Sequence, residues 1–145
     1  MLSQATINNR IDQFPVICKK AGLKVTHQRT AVYSLLAGTE SHPTPEDIYS
    51  KIRKDLPSIS LATVYKILDM FNKHGFLRKV STEGQVARYD ANNSPHHHMV
   101  CSKCGDIRDV EISQDQNGMV AAPALEGFNV TGYDVIYHGT CYNCG

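Results

Sequence analysis

Apolar positions in the first half of the chain recur at helical spacing, and each run is bracketed by start and stop signals. The first run covers residues 7–21, with Gly22 as its stop and Pro15 inside it marking either a kink or a later start. Thr26 caps a second run over residues 27–37, where Ala31, Val32, Leu35 and Leu36 repeat on one face and Gly38 follows the end. Thr44-Pro45-Glu46-Asp47 supplies a cap, a proline at the first helical position and acids in the first turn, opening a third helix that runs to about residue 54. Ser60 caps a fourth helix over residues 61–75. Leu61, Val64, Leu68 and Phe71 form its apolar stripe, which leaves Ala62, Thr63, Lys66, Asn72 and Lys73 largely for other faces.

The pattern then changes to short extended runs. Residues 76–80 and 86–90, joined by a Gly-containing loop over 81–85, predict a hairpin. Helices followed by a two-stranded wing is the order of a winged helix-turn-helix. Residues 91–95 are polar and turn-forming, and they predict a hinge. Beyond it, residues 98–101, 107–112, 128–133 and 135–138 are predicted as strands, and 114–126 as a helix weakened by Asn117-Gly118 and Pro123. The expected fold class is α+β: a winged helix-turn-helix domain over 1–84, a hinge over 85–95 that includes the end of the wing, and a small α/β domain over 96–145.

Composition narrows the picture. At 145 residues and 41% hydrophobic the chain can fold, but each half alone would bury a thin core, so a metal staple in the smaller half makes physical sense. No apolar run is long enough to span a membrane, and the first twenty residues lack a signal-peptide core and cleavage site, which predicts a cytoplasmic protein. The net charge of +1 conceals an asymmetry: residues 1–83 carry twelve Lys/Arg against seven Asp/Glu, and residues 84–145 three against seven. The basic half suits phosphates, although a plain solvated surface has the same look; the acidic half supplies carboxylates for hard metals.

The strongest chemical signal is a doubled Cys-x-x-Cys, Cys101/Cys104 and Cys141/Cys144. Each pair precedes a glycine, and two such pairs can share one tetrahedral Zn²⁺ in a structural four-cysteine site. A redox pair normally sits singly after a strand of a βαβ unit, a setting this sequence lacks. Cys18, on a helix with no partner spacing, is read as a small buried hydrophobe.

His96 and His98 are two apart, so a strand points them to one face and His97 to the other. Asp90 and Asp109 flank them on neighbouring extended segments, and His42, before Pro43, is the outlying candidate. Three imidazoles and two carboxylates would make a five-coordinate site with an open position, of the kind Fe²⁺ or Mn²⁺ accepts. His27, His74 and His138 lack such company and are read as ordinary. On the fourth helix, Ser60, Ala62, Thr63 and Tyr65 are small or hydrogen-bonding, as suits an element entering a major groove. Lys66 and Lys73, with Arg78 and Lys79 in the wing, are placed to meet phosphates. A metal-dependent hydrolase or oxygenase using the open position is the rival class, and no nucleophile or substrate-pocket signature supports it.

Together these residues resemble the ferric uptake regulator superfamily of metal-dependent repressors over nearly the whole chain. Thr26-His27-Gln28-Arg29 is similar to its T-P-Q-R, with His27 in place of the usual proline. His42-Pro43-Thr44 matches its H-P-T/S, residues 60–65 its S-x-A-T-V-Y, and His96 through Cys104 its H-x-H-x-x-C-x-x-C. The resemblance implies a homodimer with C-terminal dimerisation domains, winged-helix domains that bind double-stranded operator DNA, and a metal corepressor that closes the two halves. No membrane and no small organic substrate are implied, and the protein is expected not to be an enzyme. Iron-sensing members typically carry Glu where Asp90 and Asp109 stand; peroxide regulators carry Asp at both. The implied regulatory site is therefore His42, Asp90, His96, His98 and Asp109 holding Fe²⁺ or Mn²⁺, with His42 and His96 at the positions that peroxide oxidises through iron. An iron- or manganese-responsive repressor without peroxide sensing is the alternative. Tyr133 stands where many iron regulators have a histidine of an additional metal site, which argues against that site, although His97 and Glu111 could still bind a metal. Lys66 follows the reading tyrosine where members vary.

Overall fold

The computed structural model describes residues 2–81, 84–112 and 123–145. The chain divides into two compact units, Met1–Asn93 and Ser94–Gly145.

Among the described residues the first unit holds four helices: α1 (Gln4–Lys20), α2 (His27–Ala37), α3 (Pro45–Ile52) and α4 (Leu61–Lys73). Each begins on a hydroxyl cap, Ser3, Thr26, Thr44 and Ser60, whose side chain accepts from the backbone N–H three residues on. At Thr44 the cap is reciprocal, because the Asp47 carboxylate accepts the Thr44 N–H at 3.0 Å. That bond, more than the Thr44 hydroxyl, holds the Asp47 carboxyl below the usual carboxylate range. α2 matches its predicted span, and Thr26 caps it even with His27 at the first position. α1 starts three residues earlier than predicted, since Ser3 is a working cap, and it runs through Pro15 unbroken. The proline removes one helical donor at a cost of about 3 kcal/mol. Burial of Phe14 and Cys18 on either side of it offsets that cost. α3 ends at Ile52 and not near 54, and the turn beyond it is tightened by the Asp55 N–H, which reaches back only three residues to the Ile52 carbonyl.

α1 and α4 stop in the same way. Gly22 and Gly75 take φ of +69° and +73°, and the N–H of Leu23 and of Phe76 returns to the carbonyls of Cys18 and Phe71. The second of these turns delivers Phe76 into the core. There Phe14 stacks on Tyr33 at 4.5 Å between centroids and meets Phe71 edge-on at 5.7 Å. Val64, Ile67, Leu68 and Phe71 are the buried face of α4, while Leu61, predicted in the stripe, is only half-buried. Cys18 is fully buried in this cluster, as a small hydrophobe would be. The wing is β1 (Arg78–Val80) paired antiparallel with β2 (Arg88–Asp90), shorter than predicted because Phe76 and Leu77 belong to the core. Residues 82 and 83 of the predicted wing loop lie outside the described residues.

Among the described residues the second unit forms a three-stranded sheet, β3 (His96–Cys101), β4 (Ile107–Glu111) and β5 (Ile136–Gly139), in the order β4-β3-β5. β3 pairs antiparallel with β4 and parallel with β5. Most of the predicted helix over 114–126 lies outside the described residues, and its described end, 123–126, is not helical. The predicted strand over 128–133 does not form: none of the described strands pairs with that segment, and Phe128 is left 70% exposed. Among the described residues no helix is long and apolar enough to cross a membrane.

A core cavity tests this packing: Leu68→Ala should destabilise the first unit by about 2–5 kcal/mol. Urea unfolding followed by helical circular dichroism should show it, with Asn72→Ala, at an exposed position, as the milder comparison.

Candidate metal centres and nucleic-acid interface

The cysteine cluster is assembled by the ends of β3 and β5. After Cys101 the chain turns through Gly105 (φ +73°), whose N–H returns to the Cys101 carbonyl, and β4 follows. After β5 a second turn brings the N–H groups of Cys144 and Gly145 to the Cys141 carbonyl; Gly145 is not in the left-handed region, so only the first knuckle depends on its glycine. The two knuckles are joined by Ser102 N–H to the Gly139 carbonyl at 2.8 Å and by Lys103 Nζ to the Cys144 carbonyl at 2.8 Å.

The four Sγ atoms all lie within 4.8 Å of one another. Cys104 and Cys141 Sγ are 3.7 Å apart, which matches the tetrahedron edge of about 3.8 Å set by Zn–S bonds of about 2.3 Å. Electrostatics point the same way. Backbone N–H groups of Cys104 and Cys141 aimed at the Cys101 sulfur lower its thiol to about 6. Hydrogen bonds shared with Cys141 and Cys104 push Cys144 up to about 12. Four sulfurs this close cannot all ionise without a cation among them, and a zinc ion fits the donor set.

β3 also carries the paired histidines. Alternation puts His96 and His98 on one face, both buried, and His97 on the other, its ring 6.0 Å from Tyr137. The antiparallel register sets Asp109 opposite His98. His96 Nε2 lies 3.0 Å from His98 Nε2 and 3.4 Å from Asp109 Oδ1, and His98 Nε2 lies 3.6 Å from that same oxygen. His96 Nδ1 is 2.7 Å from the Ser94 carbonyl, which can only accept, so the ring proton sits on Nδ1 and the Nε2 lone pair faces the cluster. Two imidazole nitrogens and a carboxylate oxygen converging in this way suit a borderline-hard divalent cation.

The first unit contributes its own pair. His42 and Asp90 are both buried, with His42 Nε2 at 3.7 Å from Asp90 Oδ2. The other Asp90 oxygen accepts the Asn92 N–H at 2.7 Å, which orients the carboxylate. His42 has φ of +49°, a left-handed conformation that costs a non-glycine residue about 1–2 kcal/mol. Two bonds from β2 brace it: Arg88 Nη1 donates to the His42 carbonyl at 3.3 Å and Tyr89 N–H to the Pro43 carbonyl at 3.1 Å. No motif announces these supports, because each has a backbone group on one side of the bond: the His42 carbonyl for Arg88, the Ser94 carbonyl for His96 and the Asn92 N–H for Asp90.

On α4 the residues singled out for DNA lie along its open side. Ser60, Ala62, Tyr65, Lys66 and Lys73 are exposed and Thr63 is half-buried. A groove beside them is lined by Arg29, Thr63 and Lys66. Tyr65 reaches across to another helix, donating its hydroxyl to Glu46 on α3 at 2.8 Å.

The cysteine geometry generates a test. Among the described residues of the second unit only Val100, Cys101 and Ile107 are buried hydrophobics, so its folding should depend on the metal. Purified protein is expected to hold one zinc per chain by mass-spectrometric metal analysis. Cys104→Ser should lose that zinc and the thermal stability that goes with it, whereas His96→Ala should keep both.

The sequence profile of the ferric uptake regulator family matches residues 20–138. The chain is 31% identical over 139 residues to the peroxide-responsive repressor PerR of Staphylococcus epidermidis, covering 96% of this chain and 93% of that protein. Among solved structures it is similar to the ferric uptake regulator Fur of Helicobacter pylori, described as having three functional metal-binding sites. That match has a TM-score of 0.77 and 28% identity, over 99% of this chain and 97% of the other. The peroxide stress regulator of Campylobacter jejuni matches with a TM-score of 0.66 and 32% identity, over 90% of this chain and 98% of the other. Proteins of this family are DNA-binding dimeric transcriptional regulators and not enzymes. On the profile match and the near full-length identity, this chain belongs to the ferric uptake regulator family.

Proposed function

We propose that this protein is a metal-dependent transcriptional repressor that leaves its operator when hydrogen peroxide oxidises a ligand histidine. The observation that carries the reading is the pairing of each histidine set with an aspartate: His42 with Asp90 in the first unit, and His96 and His98 with Asp109 in the second. The first set offers two ligands and the second three, fewer than such an ion takes, so the two sets are read as parts of one five-ligand regulatory site. Ligands drawn from both units give the ion a preference for one arrangement of them, and that preference is what operator binding would respond to.

A ferrous ion bound there supplies the redox chemistry that turns peroxide into an oxidant beside the imidazoles. His42 and His96 are the rings proposed to accept the oxygen atom. The Ser94 carbonyl holds the His96 proton on Nδ1, which leaves Nε2 as the donor atom that oxidation would weaken. The cysteine site shares no ligand with this set and is proposed to hold structural zinc throughout. Bound operator DNA is proposed to face α4 in a homodimer, with Tyr65 among the base-reading residues and Lys66 and Lys73 on phosphates.

The TM-score of 0.77 to a ferric uptake regulator supports a second reading, in which iron or manganese alone sets DNA binding. Peroxide separates the two. Protein loaded with Fe²⁺ and treated with peroxide should gain one oxygen atom on the His42 or His96 peptide, whereas Mn²⁺-loaded protein should gain none. Iron-loaded protein that stays unmodified and bound to DNA would sink the peroxide reading and leave the plain metal-responsive one. Lys73→Ala should weaken binding to all duplexes and lower the magnitude of the salt slope by about one phosphate contact. An unchanged salt slope, measured by titration at several ionic strengths, would take Lys73 out of the interface.

A further inference from the structure

Glu46 sits in the first turn of α3, exposed, and presents a carboxylate beside the helix proposed to enter the major groove. A bare negative charge there works against binding a polyanion. It therefore needs a role that outweighs the repulsion, and the Tyr65 hydroxyl supplies one by donating to Glu46 Oε1 at 2.8 Å. A tyrosine hydroxyl has one hydrogen and two lone pairs. With its hydrogen committed to Glu46, its oxygen can only accept.

We propose that Glu46 is a specificity-determining positioning residue: it fixes Tyr65 as a hydrogen-bond acceptor, so that the pair selects an exocyclic amino group, adenine N6 or cytosine N4, on the major-groove edge. Those amino groups are the donors that the four bases present in that groove, so an acceptor-only pair rejects guanine and thymine at the contacted position. The Glu46 bond also opposes ionisation of the Tyr65 hydroxyl, holding it protonated above the usual tyrosine range. Glu46 acts through Tyr65, and it is held in turn by a rigid start: α3 opens with Pro45 and the Thr44–Asp47 capping box on either side of it. This inference rests on α4 being the reading helix.

The test is selection from a random duplex pool by the full chain loaded with zinc and manganese, followed by sequencing. Wild type should enrich a motif. Tyr65→Phe and Glu46→Ala should each flatten base preference at the same positions, by roughly tenfold, and the double variant should flatten it no further than either single one. Glu46→Gln keeps an acceptor oxygen for the Tyr65 hydroxyl while losing the charge, so it should retain the wild-type motif. A role for Glu46 confined to the helix dipole would not survive that substitution, nor would it alter base preference. If Glu46→Ala keeps the wild-type motif, or changes positions that Tyr65→Phe leaves intact, the assignment of Glu46 is overturned alone. If Tyr65→Ala leaves the motif unchanged, the reading helix itself is wrong and Glu46 falls with it.

Discussion

The pairing of β3 between β4 and β5 is the constraint on which the chemistry of the second unit depends. It performs two alignments with one ladder. Antiparallel pairing with β4 sets His98 against Asp109, and parallel pairing with β5 sets Cys101 against Gly139, two residues before Cys141. Strand alternation then separates the outcomes: His96 and His98 share a face, while Cys101 falls on the face of His97 and Met99. A slip of one residue would turn the histidines to the wrong side and part the knuckles at the same time. With so few buried apolar residues among those described, the unit has little else to hold that register, so a cation among the four sulfurs would contribute to its folding.

The first unit rests on a different balance. Its aromatic core gathers α1, α2 and α4, and four hydroxyl caps fix where the helices begin. That rigidity is used at two places. The backbone of His42 is held in a left-handed conformation by bonds from β2, so the loop before α3 and the wing are tied together at the histidine. The Thr44–Asp47 box sets the first turn of α3, and with it the carboxylate that meets Tyr65 on α4. Both are cases where a stable scaffold holds a polar side chain in a geometry it would not adopt alone.

Much of the fold was legible in the residue pattern because helix signals are local. Thr26, Thr44 and Ser60 announce their helices without tertiary help, and α2 falls where its cap and glycine put it. The misreadings have non-local causes. Ser3 was a cap with little hydrophobic pattern behind it, and Pro15 is tolerated only because its neighbours are buried. Residues 128–133 carry strand-like composition, yet a strand exists only where a partner pairs with its backbone, and none of the described strands does so here. The Tyr65–Glu46 bond links residues nineteen apart on two helices, a contact no spacing rule predicts.

For function, the sequence by itself determined which donor atoms exist: four thiols in two knuckles, two histidines with a strand period, and aspartates in place of glutamates. Donor chemistry is a property of residue type and short spacing, so it survives being read in one dimension. The tertiary structure decided which nitrogen of His96 faces its neighbours, which Asp90 oxygen takes the backbone N–H and which turns to His42, and that His98 and Asp109 stand opposite each other. Those choices are made by carbonyls, N–H groups and ladder register, which every residue carries alike and which acquire direction only when the chain is folded.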